Sequence, residues 1–150
     1  MFRWFLNLIR KRQDPDSNYE WVTETADKLT VSIMKMLMVQ FRLAECLPSE
    51  IPQQKEFYVA AYVAGYCDVM AQGAGAHAGR SLSMTLAMRV MGAIFGNIHG
   101  EYMWRKVDEA MHASDATCSA AMIAGGKDAN QTFQTAHESF TFGLAEYLGK

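Results

Sequence analysis

The chain is short of proline and cysteine and, beyond its first twelve residues, of clustered positive charge. Three prolines in 150 residues leave long stretches without a helix breaker, which favours helices over strands. The three cysteines, Cys46, Cys67 and Cys118, form no CxxC pair. That excludes a zinc ribbon, gives no disulfide framework and fits a reducing compartment. Arg3, Arg10, Lys11 and Arg12 give the first twelve residues four cations and no acid, so a chain of net charge -2 carries -6 on the remainder. No basic stripe is left on the body to neutralise phosphates, and nucleic acid is excluded as the expected partner. GxSxG, GxxxxGK and GxGxxG are all missing. The glycine-rich run GAGAHAG, Gly73 to Gly79, follows no strand pattern, and no cofactor is expected.

What is present is helical periodicity. The length suits one domain, residues 14–150, preceded by a distinct segment, residues 1–13. The expected fold is all-α: a helical bundle of about five helices plus a short N-terminal amphipathic helix. Ser17 to Glu20 reads as a capping box opening a long helix that runs to Leu47. Pro48 to Pro52 stops it, and a second helix covers Gln53 to Gln72. After a turn at Gly73 to Gly79, a third begins at Ser81 and reaches Gly100, with a continuation to Ala113 open. A fourth starts at Ser114 or Asp115 and ends at Gly125-Gly126. Asp128 then caps a last helix with the stripe Phe133, Ala136, Phe140, Leu144 and Tyr147.

Between Phe57 and Gly100 only Asp68, Arg80 and Arg89 are charged, which makes the second and third helices the expected centre. Asp68 and Arg89 fall mid-segment, where a charge is expensive in lipid, so a bundle core is expected rather than a membrane span. Gly92, Gly96 and Gly100 recur at every fourth position, and each glycine costs a helix interior about 1 kcal/mol. An antiparallel register pairing Asp68 with Arg89 places Gly65 opposite Gly92, Ala61 opposite Gly96 and Phe57 opposite Gly100. Close helix packing then offsets the glycine cost. A ligand or a second copy seated on the same face remains open.

Candidate chemistry is sparse. Asp108, Glu109 and His112 offer metal-ligand types at helical spacing, although a di-iron bundle needs a second ExxH that the chain lacks. His99 with Glu101 at the polar rim of the apolar hairpin, and His77 within the glycine run, are the candidate ligand-binding residues. Each has a structural reading beside the functional one. Met84, Met88 and Met91 share a helical face suited to a groove or interface, whereas Met34, Met36 and Met38 read as core filling.

Residues 2 to 12 carry the sharpest functional pattern. Phe2, Phe5, Leu6 and Ile9 share one helical face widened by Trp4, and Arg3, Arg10 and Lys11 lie opposite, with Arg12 following. This is the pattern of an anchor for anionic lipid, or of an arm packed on protein. The apolar run is too short for a secretory signal, so the segment is expected to be retained. The expected protein is a non-catalytic, homo-oligomeric interaction protein, cytoplasmic or peripheral at the inner membrane surface, contacting membrane or a protein partner. The alternative is a small-molecule or metal-binding bundle, possible also as an enzyme.

Overall fold

A computed structural model describes residues 18–76, 81–133 and 141–149. The fold is an all-α helical bundle, with no strand among the described residues. Its helices are α1 (Tyr19–Leu43), α2 (Gln53–Gly73), α3 (Ser81–Phe95), α4 (Asn97–His112), α5 (Ala116–Asn130) and α6 (Gly143–Leu148). Residues 1–13, Ser17, His77, Ala136 and Phe140 lie outside the described residues.

Local signals set the helix ends. Asn18 caps α1, its side chain accepting from the Trp21 amide at 3.1 Å. The helix stops four residues short of the expected Leu47 because Glu45 takes a left-handed conformation (φ 52°), which lets Cys46 N–H close back onto the Phe41 carbonyl. The Asp115 carboxylate caps α5 through the Cys118 amide at 2.7 Å.

Helix α2 is the centre of the molecule: every residue from Val59 to Cys67 is buried. A helix apolar all round must be enclosed by others: α3, α4 and α5 pack along it, and Gln40 of α1 reaches the Tyr62 hydroxyl. The expected close packing of small residues exists, but against a different helix. A Cβ on Gly65 would lie 2.6 Å from Met122 Cα, and one on Gly125 would lie 2.9 Å from the Tyr62 carbonyl carbon and 3.0 Å from the Tyr66 nitrogen. The backbones of α2 and α5 are therefore in direct contact. Ala121, Gly125 and Ala129, one per turn, form the buried small face of α5. Gly125-Gly126, expected to end a helix, lies in the interior of one.

The Gly92, Gly96, Gly100 series has another meaning. Gly96 has φ 85° and separates α3 from α4, so the expected single helix is two. Gly100 belongs to the corner that follows, where an added Cβ would lie 2.7 Å from Gly92 N and the Met91 carbonyl. The expected Asp68–Arg89 pair does not form. Arg89 pairs with Asp27 of α1, and the Asp68 carboxylate accepts from Ser83 Oγ at 2.9 Å and Gln72 Nε2 at 2.8 Å.

The α2–α5 contact also places a buried polar network. Tyr62 O–H donates to Asp128 Oδ2 (2.5 Å), and Gln40 Nε2 donates to the Tyr62 hydroxyl (2.8 Å). Asp128 lies inside α5 rather than opening the last helix, yet its carboxylate caps α6 by accepting from the Gly143 amide at 2.7 Å. Gln40 Oε1 accepts from the next two amides, Leu144 (3.0 Å) and Ala145 (3.1 Å). Lys55 Nζ donates to the Tyr147 and Leu148 carbonyls at the other end, and Tyr58 stacks on Tyr147 with ring centres 3.8 Å apart. A six-residue helix is too short to persist alone in water, so these contacts from α1, α2 and α5 hold it.

Two outcomes follow from this packing. Gly65→Ala and Gly125→Ala each drive a methyl into backbone and should cost about 3 kcal/mol or more in denaturant unfolding. Gly92→Ala meets first the movable Asn97 Oδ1 at 3.0 Å and should stay within about 1 kcal/mol of the parent. The second outcome concerns pH. Burial, then the hydrogen bond to Asp128, raises the Tyr62 phenol well above its ordinary value of 10.0, and burial, then the Asp128 charge, pushes Tyr66 up to about 12. The unfolded chain therefore releases these protons first. Their contribution is intact below pH 10 and falls as pH rises through the folded values, by up to about 1.4 kcal/mol per pH unit for each tyrosine. Chemical denaturation between pH 9 and 11.5 should show this decline, and Tyr66→Phe should make it shallower.

Candidate functional site

Helix α1 has two apolar sides. Val22, Ala26, Ile33, Leu37 and Phe41 face the core at helical spacing. A second stripe on the outer side, Val31, Met34, Met38 and Val39, runs beside Lys35 and Arg42 and, with Thr30, lines an open groove of about 650 Å³. Val31 is 55% exposed and Val39 43%. The described lining carries two cations and no acid. Thr30 Oγ1, on the edge of this groove, is buried without a hydrogen-bond partner, a state that costs stability until something supplies one. The stripe is legible in the sequence at three- and four-residue steps, and Met34 and Met38, which read there as core filling, are indeed partly buried against the core while also lining the groove.

A second feature is a cleft of about 200 Å³ where α2, α3, α4 and α5 meet. Ala64 and Asp68 come from α2, Ser83 and Met84 from α3, Trp104, Asp108 and Met111 from α4, and Met122 from α5. The one-face spacings Ala64/Asp68 and Trp104/Asp108/Met111 were available in the sequence, yet nothing there says that the two faces meet. Met84 and Met88 are partly exposed, whereas Met91 of the same expected face is fully buried, so the methionine stripe is divided between surface and core.

The sequence-derived candidates are dispersed. His99 Nε2 lies 2.9 Å from Glu56 Oε2, with the imidazole edge-on to Phe95 and stacked on Tyr102. Glu101 instead binds Arg105 at 2.7 Å on the surface. The carboxylate that meets His99 thus comes from the first turn of α2, with no local sequence signal to announce it. His112 Nδ1 lies 2.8 Å from the Asp108 carbonyl and 3.7 Å from its carboxylate. Glu109 lines a different hollow with Lys106 and Asp115. Among the described residues no three His, Cys, Asp or Glu side chains are grouped to hold a metal ion, so the Asp108, Glu109 and His112 set is not assembled as one site.

The thiols are not primed for nucleophilic chemistry. Burial raises Cys67 and Cys118, each with a smaller rise from a neighbouring aspartate, Asp68 and Asp115, and burial followed by the Glu50 charge raises Cys46. No helix among the described residues is long and apolar enough to cross a membrane. Compared with family models, curated proteins and solved structures, the chain matches none.

Proposed function

We propose that this chain is a non-catalytic helical interaction protein, a homo-oligomer at the cytoplasmic face of a membrane, that uses two basic apolar surfaces to engage an anionic partner surface. The observation that carries the reading is the outer side of α1, where Val31, Met34, Met38 and Val39 lie beside Lys35 and Arg42 with no acid among the described lining. Exposed apolar area rimmed by polar groups marks an interaction site. Cations on that rim select a negative partner, either anionic lipid or an acidic protein surface. Residues 2 to 12 repeat the combination with Trp4, Phe2, Phe5, Leu6 and Ile9 beside four cations.

Neither surface is strong alone. Eleven residues bind lipid weakly and reversibly, so self-association supplies the avidity that one copy lacks. The acidic remainder of the chain keeps the other faces away from the same surface. A small-molecule-binding bundle is the alternative, and the Asp68–Asp108 cleft is what favours it.

Co-sedimentation with vesicles tests the reading, alongside native mass spectrometry for copy number. The full chain should bind vesicles containing phosphatidylglycerol and not those of phosphatidylcholine alone. Each cation near such a surface is worth about 1 kcal/mol, so the double variant Lys35→Gln, Arg42→Gln should bind about tenfold or more weakly, as should a chain lacking residues 1–13. A monomeric mass combined with no preference for the anionic vesicles would overturn the proposal.

A further inference from the structure

We infer that two copies of this chain pair through the outer sides of their α1 helices, antiparallel and related by a two-fold axis. This rests on the reading of that side as an interaction surface of a homo-oligomer, and it names the negative surface that its cations meet: the acidic first half of the same helix in the second copy. Charge along α1 is segregated. Its acids, Glu20, Glu24 and Asp27, all precede its cations, Lys28, Lys35 and Arg42. Two such helices side by side bring like charges together when parallel and unlike charges together when antiparallel. A two-fold pair of this kind is self-complementary, so one patch closes the assembly at two copies. Asp27 is already engaged by Arg89, whereas Glu24 and Arg42 are exposed and have no ion-pair partner among the described residues.

Spacing puts both of these charges on one stripe. Glu24, Val31 and Met38 recur at seven-residue steps, as do Lys28, Lys35 and Arg42, and together they follow the side of α1 opposite the buried Ala26, Ile33 and Leu37. A register that sets Glu24 against Arg42 also sets Lys28 against Met38 and Val31 against Lys35. Val31, 55% exposed, then enters the hole between Val31, Met34, Lys35 and Met38 of the second copy, all of which line the open groove. The lysine stems lie along that apolar surface with their ammonium groups at its rim.

Anionic lipid fits the whole stripe less well. Laid on such a surface, α1 would turn Glu24 and, one turn earlier, the exposed Glu20 toward negative charge. A second copy uses both halves of the helix, the carboxylates at one end and the cations at the other, and places the apolar groove between them against its own counterpart.

Sedimentation equilibrium of the full chain without vesicles, at about 0.15 M salt, tests the pairing. The parent chain should be a dimer. Glu24→Lys and Arg42→Glu should each weaken it about tenfold or more, because each turns two attractions into repulsions. Both positions are exposed, so each variant should keep the parent's helix content by circular dichroism. Combined in one chain, the two reversals should restore the dimer, and an equal mixture of the single variants should form a heterodimer, seen by native mass spectrometry. The two positions are about 27 Å apart along one helix, so neither recovery can arise within a single molecule. A parent chain that stays monomeric, an oligomer indifferent to the single reversals, or failure of either recovery would overturn the pairing. No vesicle takes part, which separates this outcome from the membrane contact. A dimer with both recoveries but no preference for phosphatidylglycerol vesicles counts against that contact alone, and such a preference without the pairing leaves the contact standing.

Discussion

The backbone-to-backbone crossing of α2 and α5 is the constraint on which the rest of the molecule depends. Two helices touch this closely only where side chains are missing, and Gly65 and Gly125 remove them at the two points where Met122 and Tyr62 present main-chain atoms. Each glycine weakens its own helix by about 1 kcal/mol, a cost offset by continuous dispersion contact along the crossing. The short separation then decides what the neighbouring residues do. It brings the Tyr62 hydroxyl onto the Asp128 carboxylate, and that buried charge is tolerated because Tyr62, Thr141 and the Gly143 amide all donate to it. The same cluster, extended by Gln40, provides the amide partners that seat α6. A six-residue helix at the end of the chain thus depends on a glycine contact in the middle of it.

The crossing also shapes the surfaces. Met122, whose main chain meets Gly65, contributes to the wall of the acidic cleft, as does Ala64, the neighbour of Gly65. The cleft is therefore tied to the most tightly packed part of the bundle. The outer groove of α1 is of a different kind. It lies on the side of α1 away from the core, where an apolar stripe and two cations lie along one helix. One surface is a concave cleft between helices, the other an open groove along one helix with two cations on its rim.

Much of the fold was legible in the sequence. The sparse charge between Phe57 and Gly100 located the centre, and Pro48 to Pro52 separated α1 from α2. The misreadings have separate causes. Local propensity takes glycine as a terminator, so Gly125-Gly126 read as a helix end, although the α2 backbone requires glycine there within a helix. At Gly96 the opposite happened: the regular four-residue spacing concealed a positive-φ break. The Asp68–Arg89 register assumed that the two mid-helix charges must meet, when Arg89 had Asp27 on a third helix and Asp68 had Ser83 and Gln72. Nor could spacing reveal Glu56 beside His99, or α2 and α4 facing each other across a cleft, because both depend on tertiary arrangement.

Native-state hydrogen exchange tests the primacy of the α2–α5 crossing most directly, since it ranks local stability along the chain without any substitution. The amides from Tyr62 to Tyr66 and from Met122 to Gly126 should be the slowest to exchange and should open only with global unfolding. The Leu144 and Ala145 amides, bound to Gln40, should exchange in the same unit despite belonging to the shortest helix. Faster local opening of the crossing while α1 and α4 stay protected would contradict the account, as would independent release of α6.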